Sequence, residues 1–303
     1  MTFSSKVKNE LCKIQNEPSF FCSNSELYGM LLCAKKFNAD NISFITENKN
    51  ICKKLSYLLA EEFKVTSDIV THKNLKKSKF TLLVPYKSDR ITLLEQHKNF
   101  SKDFLISFGE KLSQNIKIIA AFLRGVFLFS GTITDPNSDY HLEWCVQNKI
   151  LAEYLKQLIL SISKLNINVG ITQRKNAYVV YIKGSENISD ILTLIGAPIC
   201  AMEIIQIKMI KEVRNDINRT TNFEAANISK TACAAVKQVR AIEEIKKNKE
   251  FENLSEDLKE IANLRLLNPD MSLRDLGKTL SKPLSRSGVN HRLKKLLELG
   301  TKQ

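Results

Sequence analysis

The chain has 303 residues, with 46 Lys and Arg against 32 Asp and Glu, and a formal net charge of +14. Hydrophobic residues at 43% and charged residues at 26% are the balance of a folded chain of two or three domains. The composition excludes several classes: no run of about 18 apolar residues offers a membrane span, and the charged start MTFSSKVKNELCK lacks the apolar stretch of a secretory signal. Seven scattered cysteines with no C-x-x-C pair argue against a disulfide framework or a zinc site and for reduced thiols in a cytoplasm. The positive balance favours a polyanionic partner, although chains rich in Lys, Asn and Ile also drift basic without one.

In chain order, the first signal is a short apolar helix over residues 25–35, SELYGMLLCAK. From Asn48 an amphipathic helix follows, with Ile51, Leu55, Leu58 and Leu59 at i, i+4, i+7 and i+8. Two strands come next, joined by a turn carrying Lys73, Lys76, Lys77 and Lys79; the second strand covers residues 80–84. The same order then recurs. A second apolar helix spans residues 118–131, IIAAFLRGVFLFSG, and the helix from Asn148 places Leu151, Leu155, Leu158 and Ile159 at the same spacing. Arg174 and Lys175 mark its basic hairpin tip, before a strand over residues 178–182. With one copy beginning at Asn48 and the other at Asn148, an offset close to 100 residues, the chain thus reads as a duplicated α+β unit. His72 and His141 fall in strands, where a structural imidazole is the expected role, and Trp144 is expected in the core or on a sheet face.

The string LRGVFLFSG, from Leu123 to Gly131, resembles the LAGLIDADG signature of homing endonucleases, and LYGMLLCAK, from Leu27 to Lys35, matches it more weakly. Gly29 and Gly125 stand where two such helices would cross, and a missing side chain lets backbones approach closely. The resemblance implies an acid at the eighth position of each signature, holding divalent metal for phosphodiester cleavage. Those positions are Ala34 and Ser130, so cleavage, a resident metal and a cofactor are not expected. Asp40, Asp135 and Asp139 follow the helices in turn-like contexts. No Walker loop, G-x-S-x-G or H-E-x-x-H string offers another chemistry.

Around Asn215 the composition shifts to a long helix without Pro or Gly, with Ala232, Ala235, Val236, Val239, Ile242 and Ile245 at helical spacing. Three short helices are expected beyond it. The first covers residues 255–267, and the second opens on Ser272 as N-cap with Asp275 at its third position. The third turns Val289, Leu293, Leu296 and Leu297 inward and Arg286, Ser287, Asn290, His291 and Lys294 outward. Cations, amides and hydroxyls on one helix face are the chemistry that reads base edges and holds phosphates. Seven basic residues stand against one acid between Ser272 and Lys295. With Pro283 ending the second helix, this is a helix-turn-helix pattern. The expected DNA-binding set is Ser272, Arg274, Lys278, Ser285, Arg286, Ser287, Asn290, His291, Arg292, Lys294 and Lys295, with secondary contacts from Lys73, Lys76, Lys77, Lys79, Arg174 and Lys175.

The strings FLRGVFLFSGTITDPNSDYHLE, RKNAYVVYIKGSENISDIL, IGAP, VRNDINRTTNFEAANISKT and SLRDLGKTL…SRSGVNHRLKKL resemble the WhiA family of sporulation and cell-division regulators of Gram-positive bacteria. The resemblance runs from Lys6 to Leu299, departing where Lys35 replaces the final glycine of the first signature. It implies an α+β fold: a tandem LAGLIDADG-like domain over 1–214, with repeats at about 20–110 and 115–214, then a connecting helical segment over 215–252. An all-α helix-turn-helix bundle over 253–303 closes the chain, its motif at about 271–303. The implied function is non-enzymatic, sequence-specific binding of double-stranded DNA to regulate cell-division, chromosome-segregation or sporulation genes, in the cytoplasm at the nucleoid. Binding of the nucleoid without promoter control stays open, and the repeat domain is expected to offer a basic saddle to further DNA or to regulatory or division proteins. The rivals are an active LAGLIDADG-type endonuclease and a maturase-like RNA-binding protein; A-form RNA hides its major groove from a reading helix.

Overall fold

The computed structural model describes residues 2–14, 20–73, 78–98, 115–162 and 167–300. The chain divides into two compact units, residues 1–211 and 212–303. The first opens with α1 (Phe3–Cys12), capped by Thr2 and burying Phe3, Val7 and Leu11. The first repeat then runs α2 (Phe20–Leu31), β1 (Lys36–Phe37), β2 (Ile42–Thr46), α3 (Lys49–Phe63), β3 (Asp68–Lys73), β4 (Ser78–Leu83) and α4 (Lys87–Lys98). The second follows the same order: α5 (Ile116–Ser130), β5 (Gly131–Ile133), β6 (His141–Val146), α6 (Lys149–Leu160), β7 (Val169–Arg174), β8 (Ala177–Lys183) and α7 (Ser185–Ile195).

Each repeat folds into a four-stranded antiparallel sheet, in the orders β1-β2-β4-β3 and β5-β6-β8-β7. The duplication extends to local chemistry. Asn48 and Asn148 cap α3 and α6, each side chain accepting from the backbone N–H two residues on; such a cap satisfies a donor the helix itself cannot. Phe44 and Trp144, 100 residues apart, are both fully buried on inner sheet faces. Helices α2 and α5 pack along each other at the centre of the unit. A methyl at Gly29 would strike the Phe122 carbonyl oxygen, and one at Gly125 the Glu26 carbonyl oxygen. Backbone meets backbone at this crossing, so glycine is required on both sides.

The first apolar helix differs from its expected extent. It ends at Leu31, so Ala34 lies beyond it, whereas Ser130 is the last residue of α5. The connecting helix also starts earlier: α8 spans Pro198–Lys247 as one element of 50 residues. The packing expected along it begins only at Ala235. Ala232 is exposed, Val236 is 51% exposed and Val239 is half-buried, while Ala235, Ala241, Ile242 and Ile245 are buried. Amphipathic spacing marks a face without saying how much of it finds a partner.

In the second unit, α9 (Glu256–Leu267), α10 (Leu273–Thr279) and α11 (Arg286–Gly300) close around Ile242, Ile245, Leu258, Ile261, Leu276, Val289, Leu293 and Leu296. No described helix is long and apolar enough to cross a membrane.

Candidate nucleic-acid interface

Two serines start the two helices of the motif. Ser272 Oγ accepts from Asp275 N–H at 3.2 Å and donates to Asp275 Oδ2 at 2.7 Å. These bonds, with Lys278 Nζ at 3.1 Å, hold the Asp275 carboxyl below its ordinary range, the Ser272 bond being the larger cause. Ser285 Oγ accepts from Gly288 N–H at 3.3 Å in the first turn of α11. The turn between the helices is tight. Leu284 N–H donates to Gly277 O at 3.0 Å, and a Cβ on Gly277 would strike the Leu284 carbonyl oxygen.

With Val289, Leu293 and Leu296 buried and Leu297 half-buried, α11 presents Arg286, Ser287, Asn290, His291, Lys294 and Lys295 to solvent. Arg274 and Lys278 on α10 are exposed as well. Arg292 is committed elsewhere: its Nη2 lies 2.8 Å from Asp257 Oδ2 on α9, and its side chain is only 19% exposed. The i+3 spacing from Val289 carries Arg292 toward the bundle rather than to the outer face.

Three residues that the sequence did not single out build this geometry. Glu260 on α9 accepts from Ser281 N–H at 2.7 Å and from Ser281 Oγ at 3.1 Å, fixing the start of the turn. Buried Arg265 donates to Pro269 O and Met271 O, shaping the approach to α10. Gly277 admits the turn itself. Of these, only a glycine inside a helical pattern carries a signal legible in the sequence.

The cations expected in the first unit lie at two hairpin tips. Lys73 ends β3, Lys79 is exposed at the start of β4, and Lys76 and Lys77 lie outside the described residues. At the other hairpin tip Lys175 takes a left-handed conformation (φ 56°). Arg174 Nη2 lies 3.5 Å from Glu143 Oε2. Glu143 stands on the outer face of its sheet, receiving Thr132 Oγ1 at 3.2 Å and facing His141 Nε2 at 3.2 Å. One carboxylate thus lies beside the cation at this tip.

The two positions where the fold's nucleases carry acids hold no anion. Ser130 Oγ donates back to Val126 O at 2.8 Å, and Ala34 offers a methyl. Between them Cys33 Sγ lies 3.6 Å from Gly29 O, its thiol pushed up to about 12 by burial and so kept neutral. The nearby aspartates serve turns: Asp135 accepts from Asn137 N–H and Nδ2, which holds its carboxyl low, and Asp139 accepts from Tyr140 N–H. Asp40 is exposed. A divalent cation needs hard, charged oxygen ligands, and Ala34, Ser130 and the neutral Cys33 thiol do not supply them.

Residues 217–300 match the WhiA C-terminal HTH domain and residues 119–214 the WhiA LAGLIDADG-like domain. Over 309 residues the chain is 36% identical to the probable cell division protein WhiA of Clostridium botulinum, covering 98% of this chain and 96% of that protein. It is 33% identical over 316 residues to the protein of the same description from Alkaliphilus metalliredigens, covering 100% and 98%. Among solved structures, full-length WhiA from Thermatoga maritima aligns over 99% of this chain and 98% of that one, with a TM-score of 0.60 at 29% identity.

Proposed function

The chain belongs to the WhiA family, and from that premise we propose that it is a non-enzymatic, sequence-specific DNA-binding regulator of cell-division, chromosome-segregation or sporulation genes. The observation that carries this reading is the outward face of α11. Arg286, Asn290 and Lys294 recur every four residues on the side opposite the buried Val289, Leu293 and Leu296. Arg pairs with guanine and Asn with adenine in the major groove, while lysines hold phosphates. In a helix-turn-helix the first turns of the second helix meet the base edges. Arg286, Ser287, Asn290 and His291 therefore read sequence. Arg274, Lys278, Lys294 and Lys295 anchor the backbone, and Ser272 and Ser285 set the two helix starts. Arg292 acts through the bundle.

The LAGLIDADG-like half, residues 1–214, serves as a scaffold without nuclease chemistry, because Ala34 and Ser130 cannot hold the metal that cleavage requires. Residues 215–252 lead from it to the helix-turn-helix of 253–303. Lys73, Lys76, Lys77, Lys79, Arg174 and Lys175 are left as weaker contacts to DNA or to regulatory or division proteins, and the protein acts in the cytoplasm at the nucleoid.

The test is selection of bound duplexes from a random library by the full chain and its variants. Arg286→Ala and Asn290→Ala should each lose about 1–3 kcal/mol and relax discrimination at one or two base pairs. Lys294→Ala and Lys295→Ala should weaken binding to every sequence and flatten its salt dependence. If Arg286→Ala and Asn290→Ala select the same sequence with unchanged affinity, or structured RNA displaces the selected duplex, the reading is wrong.

A further inference from the structure

Every residue from 212 to 234 of α8 is exposed. From Val213 to Ala234, about six turns at 3.6 residues each, none of these side chains joins the buried core formed by the described residues of the second unit. Their composition suits such a life poorly. Asn215, Asn218, Thr220, Thr221, Asn222, Asn227 and Thr231 are weak helix formers. A helix that is neither amphipathically packed nor rich in good formers is marginal in water. The side chains themselves must be the reason for the sequence.

Their arrangement is ordered. Asn215, Arg219 and Asn222 recur at i, i+4 and i+7, and the same stripe continues through Lys230 to Lys237 and Arg240, all exposed. Asp216 and Glu224 fall on other faces, with Val213, Ile217 and Ile228 on the reverse side, and Glu212 lies at the stripe's edge. Residues 212–234 carry three cations, Arg214, Arg219 and Lys230, against three acids, so the positive excess of the stripe comes from Arg219 and Lys230 together with Lys237 and Arg240. The stripe pairs amides, which bond adenine edges, with cations, which bond guanine edges and phosphates.

The stripe also has an anchor. Ala235, Gln238, Ala241, Ile242 and Ile245 are buried, the two isoleucines lie in the core that holds the reading helix, and Gly300 at the end of α11 abuts the Ala241 carbonyl. From Ala235 back to Asn215 the helix extends about 30 Å, at 1.5 Å per residue. That is close to one turn of duplex DNA.

We propose that this stripe, Asn215, Arg219, Asn222, Lys230, Lys237 and Arg240, is a second contact surface for duplex DNA, engaging the sequence that flanks the site read by α11. The inference rests on the reading of α11 as the DNA-reading helix. The exposed helix is firmed by the duplex it touches, as continuous basic helices are when they enter a major groove.

The experiment compares the full chain on two duplexes, one just covering the selected site and one extended by about one helical turn on each side. Wild type should bind the long duplex more tightly, with a steeper salt dependence and protection of flanking base pairs. The triple variant Asn215→Ala/Arg219→Ala/Asn222→Ala keeps the helix, since alanine favours it. It should lose the flanking protection and the advantage of length while binding the short duplex as wild type does. Replacing Arg219, Lys230, Lys237 and Arg240 by Ala should lower the log–log salt slope on the long duplex by about 0.9 for each phosphate contact removed. Equal binding of the two duplexes by wild type, or flanking protection that survives the triple variant, overturns the inference and leaves the α11 reading intact. A triple variant that changes only the protein's own assembly state overturns it too. Failure to bind either duplex specifically instead refutes the reading of α11.

Discussion

Glu26 is the residue whose removal should be felt most in the first unit. Its side chain is fully buried on α2, with Oε1 2.6 Å from Lys54 Nζ of α3 and Oε2 3.0 Å from Arg124 Nη2 of α5. One carboxylate thus balances two buried cations at the helix crossing. Glu26→Gln keeps the shape and leaves both cations facing a neutral amide. Each close pair is worth about 4 kcal/mol at an effective dielectric of 20. Part of that is offset, because Arg124 Nη1 also donates to Ile195 O, and Lys54 to Leu11 O and Ile14 O. The expected loss is therefore about 3 kcal/mol, the low end for breaking a buried pair. Trp144 reports it: it is the chain's one tryptophan, buried edge-on against Phe127 in this unit, so its fluorescence during urea unfolding follows this unit alone. The loss should shrink as pH rises. Burial already lowers the Lys54 pKa, and without Glu26 it falls further. Above that pKa the folded protein sheds a proton that the unfolded chain keeps to about 10.4, and stability rises with pH wherever the unfolded state binds more protons. A loss under about 1 kcal/mol, or one that grows with pH, would refute the reasoning.

Two further changes test other parts of the fold. Gly277→Ala drives a methyl against the Leu284 carbonyl; it should destabilise the helix-turn-helix unit by about 1–3 kcal/mol, read by hydrogen exchange in α10 and α11, and unchanged protection there would show that the turn can open at little cost. Lys8 is pushed down to about 8, chiefly by burial. Its folded-state proton is released below the pH at which the unfolded chain loses its own, so wild-type stability should rise between about pH 8 and 10 relative to Lys8→Met, and parallel pH profiles for the two proteins would contradict this.

How much of this was legible in the sequence depends on the distance over which each feature is decided. The caps at Asn48, Asn148 and Ser272, the inward Val289, Leu293 and Leu296, and the crossing glycines follow from local spacing and steric need. Each could be read from a few neighbouring residues. Partners far apart in sequence could not. Lys54 stands in an amphipathic helix as an ordinary polar residue, and only the fold brings Glu26 and Arg124 to it across 28 and 70 residues of chain. Arg292 has the composition of a DNA contact and is drawn instead to Asp257. Along α8 the period marked an apolar face over Ala232–Ile245, but burial starts at Ala235, where the bundle supplies a surface. The missing acids at Ala34 and Ser130 are legible only once the two helices are aligned with a known signature.

The central claim, a LAGLIDADG-like fold that binds DNA without cutting it, can be tested in a single gel. Supercoiled plasmid carrying the selected site is incubated with the purified full chain and Mg²⁺ or Mn²⁺, and half of each reaction is deproteinised before electrophoresis. The account predicts a shifted plasmid in the untreated half and intact supercoiled DNA in the other. Site-specific nicking that EDTA suppresses, and that weakens in Asp40→Ala and Asp135→Ala, would contradict it and make those aspartates metal ligands.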